Sequence, residues 1–66
     1  MNQEASPSDF TIEYRFKPSP LARTLRGQTV WRDISIHDAW RNFQRQHRHV
    51  TVERVTAPDK TTLEIS

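Results

Sequence analysis

The fold is decided by residues 34–55, which read ISIHDAWRNFQRQHRHVTVERV. Ser35 is a candidate N-cap, and it precedes apolar residues spaced three or four apart, a pattern typical of one face of an amphipathic helix. The inward stripe that they form with His47 consists of Ile36, Ala39, Trp40, Phe43, His47 and Val50. The β-branched residues in 50–56 predict a strand, and Val55 breaks their alternation, which suggests a bulge or the end of pairing. We therefore expect one helix, over residues 36–49, that leads directly into a strand.

Shorter patterns on either side predict further strands. Residues 10–17 alternate cleanly between apolar and polar side chains, as a half-buried strand does. Residues 28–34 alternate less cleanly and predict a second strand. After a turn at residues 57–60, which holds proline and aspartate at its middle positions, residues 61–65 can form a short edge strand.

These elements predict an α+β domain, with one α-helix packed on a small, mainly antiparallel sheet in the order β-β-α-β and a weak fourth strand. Residues 10–66 would form this domain, and residues 1–9, which lack apolar periodicity, would form a disordered tail. Gly27, the only glycine, is expected at a positive φ, and residues 21–26 fit either a short helical turn or a loop. The predicted core contains Ile12, Tyr14, Phe16, Val30, Ile34, Ala39, Trp40, Phe43, Val50, Val52 and Leu63.

Composition excludes several classes of protein. The 66 residues contain no cysteine, which excludes disulfides and thiolate zinc sites. There is no signal-peptide pattern and no apolar run long enough to span a bilayer, so we expect a cytoplasmic protein without membrane contact. The net charge is only +2, but residues 15–54 hold nine basic and three acidic side chains. Arginine in such excess favours contact with phosphate or carboxylate groups.

No motif indicates catalysis, a cofactor or a metal. A Gly-rich phosphate loop, a nucleophile motif and a pair of catalytic carboxylates are all missing from the sequence. His37 lies ten residues before His47, about 15 Å along a helix, so the two cannot share an ion within one chain. His47 and His49 alone are fewer than the three or four ligands that zinc requires. We therefore expect neither an enzyme nor a metalloprotein.

The strongest functional signal is a row of arginines at positions 41, 45 and 48. Stacked like charges cost a helix a few tenths of a kcal/mol per pair, which favours a partner, although a solvated helix face remains the alternative. We expect a small non-catalytic protein that regulates or inhibits a larger bacterial machine by binding an acidic protein surface. The alternative is a nucleic-acid-binding protein that contacts phosphates, and a domain this small could also form a homodimer. The candidate contacts are Arg41, Arg45, Arg48, Arg54, Trp31, Arg32 and Arg26.

Two segments carry a resemblance to a known family. Residues 31–40, WRDISIHDAW, and residues 50–55, VTVERV, resemble small β-β-α-β regulatory proteins of phages and mobile elements, the phage T7-type inhibitors of bacterial RNA polymerase. The resemblance implies the same order of elements. It also implies a role for Arg54, which matches a charged position on the strand after the helix.

Overall fold

Four strands and one helix account for the regular structure of residues 6–65, the part of the chain that the computed structural model describes. The strands are β1 (Ser8–Phe16), β2 (Leu25–Asp33), β3 (Val50–Thr56) and β4 (Thr62–Glu64), and the helix is α1 (Ile36–Gln46). They confirm the predicted α+β fold, including its fourth strand. β1 begins at Ser8, inside the predicted tail 1–9, whereas residues 1–5 of that tail and Ser66 lie outside the described residues.

The strands form one open sheet in the order β2-β1-β3-β4, and all neighbouring strands are antiparallel. β2 and β3 both run antiparallel to β1, so they are parallel to each other and need a crossover connection. The helix α1 provides it and packs on one face of the sheet. The other face carries no helix among residues 6–65, and we call it the open face.

The helix begins as predicted and ends early. The Ser35 hydroxyl accepts a hydrogen bond from the Asp38 backbone N–H at 3.2 Å, which confirms the N-cap. The last helical residue is Gln46, three residues before the predicted end. His47 leaves the helical conformation, and its carbonyl accepts from the Val50 N–H at 3.2 Å. This turn redirects the chain into β3, which is why the helix cannot continue to residue 49.

A bulge in β3 explains the broken alternation of its sequence. Val52 and Arg54 pair with consecutive residues of β1, which leaves Glu53 as the extra residue. Because the bulge inserts one residue, Val52 and Val55 both face the helix and are fully buried. Of the two interpretations that the sequence allowed, the bulge is the one observed, and pairing with β1 continues through Val55 and Thr56.

The core lies between α1 and the sheet. Its buried residues are Phe10, Ile12, Ala39, Phe43, Val50, Val52 and Val55, and the predicted core residues Tyr14, Phe16, Trp40 and Leu63 are half-buried against them. The prediction was wrong for Val30 and Ile34, which are 64% and 54% exposed. Val30 pairs with Thr11, on the polar side of β1, so its side chain lies on the open face. Ile34 follows the end of β2, in the short link to α1.

The prediction that Gly27 has a positive φ is wrong. This residue lies inside β2 opposite Tyr14, and its φ is not positive. A Cβ atom at this position would approach the Tyr14 ring to 2.7 Å, so glycine is needed here for close packing. β2 begins at Leu25, three residues before the predicted start. The preceding segment is a loop with a turn in which the Ala22 N–H donates to the Ser19 carbonyl at 3.1 Å.

The predicted turn between β3 and β4 is confirmed. The Lys60 N–H donates to the Ala57 carbonyl at 2.9 Å, and the Ala57 N–H donates to the Thr61 carbonyl at 2.8 Å. Pro58 and Asp59 are the middle residues, as a type I turn prefers. Lys60 follows with φ 75°, the left-handed residue that completes a hairpin loop of this length.

Candidate functional site

Three of the predicted contact residues converge on one surface of the helix side. Arg41 and Arg45 lie one turn apart on α1, and Arg48 follows its end. Together with Trp40 and Gln44 they line a shallow cavity of about 730 Å³. We call these five residues the arginine groove. The three arginines are exposed and Trp40 is half-buried against the core, so the groove combines positive charge with an aromatic surface.

Gln44 fixes the segment that carries Arg48. Its side-chain amide donates to the carbonyls of His47 at 3.1 Å and Val50 at 2.7 Å. Its side-chain oxygen accepts from the Val52 N–H at 3.4 Å. The Gln44 side chain thus provides hydrogen-bond partners for the Val50 carbonyl and the Val52 N–H, which lie beyond the part of β3 that pairs with β4. This bridge holds the turn after α1, so Arg48 lines the same cavity as the helical arginines although it lies outside the helix.

The predicted contacts Arg26 and Arg32 lie elsewhere, on the open face. The Arg32 Nε atom lies 3.1 Å from the Asp9 carboxylate, and the Arg26 Nε atom lies 3.6 Å from the Glu53 carboxylate. Arg15 reaches the same Glu53 side chain at 2.9 Å. These ion pairs join neighbouring strands and cross from β2 to β3. Both predicted contacts therefore already have carboxylate partners within the fold.

Arg54, the position that matches the phage regulators, also lies in an ion-pair network on the open face. Its Nε donates to the Glu64 carboxylate at 2.6 Å, and one terminal nitrogen lies 3.7 Å from Glu13. The hydrogen bond and charge of Glu64, with smaller contributions from Glu13 and Glu53, raise the pKa of the Arg54 guanidinium above its ordinary value. Arg54 therefore stays charged while it links β3 to β4 and β1.

Charge is consequently distributed unevenly between the two faces. On the open face, four arginines and four carboxylates are joined in three groups of ion pairs, and their formal charges sum to zero. Within residues 6–65, no carboxylate oxygen lies within 4 Å of the guanidinium groups of Arg41, Arg45 or Arg48. The arginine groove is thus where the fold leaves several neighbouring guanidinium groups available to an external anion.

Trp31, the predicted exposed aromatic contact, is half-buried and does not line the groove. Its ring packs edge-on against Phe43 with centroids 5.3 Å apart, and its indole N–H donates to the Asp33 carboxylate at 3.0 Å. Asn42 on α1 donates to the same oxygen at 2.9 Å. The Asn42 hydrogen bond, followed by that of the Ile34 N–H, lowers the pKa of Asp33 below its ordinary value. Asp33 thereby anchors the end of β2 to the helix.

A second cavity, of about 380 Å³, was not expected from the sequence. It lies where the sheet extends past the end of α1, and its aromatic lining consists of Tyr14, Phe16, Trp31, Phe43, His47 and His49. The Phe43 and His47 rings are closest, with centroids 4.4 Å apart. The sequence predicted Tyr14, Phe16 and Phe43 for the core but Trp31 for the exposed face, and the register of β1 against β2 and β3 brings them together. Among the described residues, no group of three or more metal-ligating side chains occurs.

Among the residues that the structure describes, α1 is the only helix, and it is too short and too polar to cross a membrane. The chain matches no protein-family model, no curated protein and no solved structure. The resemblance to phage regulatory proteins therefore stays a prediction.

Proposed function

We propose that this chain is a small non-catalytic binding protein that regulates or inhibits a larger bacterial macromolecular machine by docking its arginine groove on an acidic protein surface. The observation that supports the proposal is the convergence of Arg41, Arg45 and Arg48 beside Trp40, with no carboxylate of residues 6–65 within ion-pair distance. The arginines of the open face serve the fold in this proposal and are not primary contacts.

The residue types in the groove suit a protein partner. Tryptophan and arginine are enriched among the residues that contribute most to protein–protein binding. Guanidinium groups can bind carboxylates with two parallel hydrogen bonds, and the surrounding aromatic surface can exclude water from such pairs. Arg41 and Arg45 repel each other by roughly 0.2–0.5 kcal/mol as an i, i+4 pair, and an acidic partner would relieve this repulsion.

The size of the groove favours a protein partner over nucleic acid. If all three arginines contacted phosphates of duplex DNA, the logarithm of affinity would fall against the logarithm of salt with a slope of about −2.7. Binding would then weaken roughly 40-fold between 50 and 200 mM salt, against factors of about 10³–10⁵ for proteins with 6–10 phosphate contacts. The open-face arginines could add further phosphate contacts only by breaking their ion pairs with Asp9, Glu13, Glu53 and Glu64. Nucleic-acid binding through the same arginines remains the alternative.

The test uses a double charge reversal, Arg41→Glu with Arg45→Glu, in a tagged version of the full chain. Both side chains are exposed, so the domain should stay folded, which circular dichroism verifies. The wild type is used to capture a protein from nuclease-treated bacterial lysate. That protein is identified, purified and titrated against the wild type, the groove variant and the control variant described below. We expect binding to the purified partner to weaken by roughly 100-fold or more, because two central contacts become repulsive.

A matched control carries the same change in charge away from the groove. Arg23 and Lys60 are exposed and lie in loops, so Arg23→Glu with Lys60→Glu alters net charge equally. This control should retain binding within a few-fold. Unchanged binding of the groove variant, or equal loss in both variants, would refute the assignment. Loss of all capture after nuclease treatment, with steeply salt-dependent binding to a 20-base-pair duplex, would establish the alternative.

A further inference from the structure

β2 offers an open edge, whereas the opposite edge of the sheet is closed. At the closed edge β4 pairs with β3, and the Ile65 N–H then donates to the Glu53 carbonyl at 3.0 Å. Beyond that point the Gln44 side chain bonds to the backbone of Val50 and Val52. Along the nine residues of β2, by contrast, no strand of residues 6–65 pairs with the outer side. Such an edge accepts a further strand unless it is blocked.

Exposed aliphatic side chains concentrate at this edge. The exposed large hydrophobic residues among those described are Leu21, Leu25, Val30 and Ile34. Leu25 and Val30 lie in β2, Ile34 immediately follows it, and only Leu21 lies elsewhere, in a loop. Val30 is the most exposed of the three at the edge and lies near the middle of the strand. Three of these four residues thus lie in or next to the strand whose outer side is unpaired within residues 6–65.

The charged residues of β2 do not block the edge. Arginine or lysine on an edge strand commonly prevents pairing by projecting outward. Here Arg26 is drawn across the sheet toward Glu53 on β3, and Arg32 is drawn toward Asp9 on β1. Both guanidinium groups therefore lie over the open face of their own sheet. They leave space beside β2 for another strand.

We propose that two copies of this chain pair through β2, antiparallel, around a two-fold axis at Val30. This register places the exposed Val30 side chains against each other and sets Gln28 opposite Arg32. An axis at Thr29 would instead set Arg26 opposite Arg32, and an axis at Arg32 would set that residue opposite its own copy. Both registers are disfavoured because like charges directly opposite each other are destabilising. The register at Val30 therefore combines apolar contact with the absence of like-charge pairs.

Pairing in this register keeps corresponding faces of the two sheets together, because each residue lies opposite one of the same parity. The dimer would then be a continuous eight-stranded sheet with both helices on one side. Both arginine grooves would lie on that same side, near the outer strands. The proposal concerns a different edge from the groove and does not depend on the function proposed above.

The first experiment measures molar mass by sedimentation equilibrium over a range of concentrations. We expect the wild type to reach twice the monomer mass and Val30→Lys to remain monomeric, because two lysines would meet at the axis. Leu21→Lys makes the same chemical change at a loop residue that is 98% exposed, and it should dimerise as the wild type does. A wild type that stays monomeric at 0.5 mM, or a Leu21→Lys variant that dissociates equally, would overturn the proposal.

The second experiment tests the register. The chain has no cysteine, so a single introduced thiol reports only on its own copy in the partner. Residues directly opposite in an antiparallel pair have Cα atoms about 4.5–5.5 Å apart, within the range that a disulfide spans. Air oxidation should therefore link Val30→Cys into a covalent dimer, while Gln28→Cys and Leu21→Cys stay largely unlinked on a non-reducing gel. Faster linkage of either control than of Val30→Cys would refute this register.

Discussion

The close approach of Tyr14 to Gly27 gives the sharpest stability prediction. In Gly27→Ala, the new Cβ would lie 2.7 Å from the ring atoms Cζ and Oη and 2.9 Å from Cε1. Carbon atoms in ordinary contact are about 3.5–4.0 Å apart, so the ring must move by about 1 Å. It is not free to do so without loss, because its centroid lies 5.7 Å from that of Phe43 and 6.0 Å from that of Phe16.

The expected change in unfolding free energy follows from three contributions. Overpacking costs about 1–3 kcal/mol, and weakened ring contacts cost up to about 0.5–1.5 kcal/mol each. Alanine in a strand regains roughly 0.5–1 kcal/mol relative to glycine. We expect Gly27→Ala to destabilise the domain by about 1–2 kcal/mol, which lowers the melting temperature by roughly 5–15 °C for a domain of this size.

A double-mutant cycle with Tyr14→Ala separates this explanation from a general effect of alanine in β2. Without the ring, the same substitution at Gly27 should become stabilising by about 0.5 kcal/mol, because only the strand preference remains. The four proteins would be compared by urea unfolding followed by circular dichroism. If Gly27→Ala destabilises both backgrounds equally, or neither, the close contact does not explain the glycine.

Three further predictions concern single side chains. Gln44→Ala should destabilise by about 1–3 kcal/mol in urea unfolding, because a backbone carbonyl and N–H of β3 lose their partner; equal stability would contradict the bridge. Lys60→Gly should stabilise by about 0.5–1 kcal/mol by removing a left-handed lysine, whereas Lys60→Ala should not. The lowered pKa of Asp33 means that its stabilisation is present above its ordinary pKa near 4 and is lost as pH falls through the lower folded value. Asn42→Ala should therefore shrink the stability difference between pH 6 and pH 2, and an unchanged difference would exclude this hydrogen bond as its source.

Local patterns in the sequence were sufficient for the elements of the fold. The Ser35 cap and the turn after β3 depend on neighbouring residues and were predicted from them. The broken alternation of β3 indicated either a bulge or the end of pairing, and the structure has the bulge. The end of α1 was not, because it depends on where the chain must turn to reach β3. Val30 was misplaced for a similar reason: its hydrophobicity suggested the core, but its pairing with Thr11 places it on the open face.

The candidate site was predicted in part. Arg41, Arg45 and Arg48 were recognised from their spacing, and the structure places them together. Sequence alone could not separate them from Arg26 and Arg32, because the sequence does not show which arginines form ion pairs within the fold. Those partners lie 23 and 27 residues away along the chain and become neighbours only through strand register. The aromatic cavity escaped prediction because it too is assembled from distant segments.

The cluster of three arginines without carboxylate partners among residues 6–65 lies on the helix side, which gives the molecule an electrical asymmetry across its sheet. In the field of an anionic partner, such a molecule experiences a torque that turns the helix toward the partner before the two surfaces touch. Association should accordingly be faster than random collision allows, and the acceleration should disappear at 1 M ionic strength, where charges are screened beyond about 3 Å. In the proposed dimer the two asymmetries would point the same way and reinforce each other.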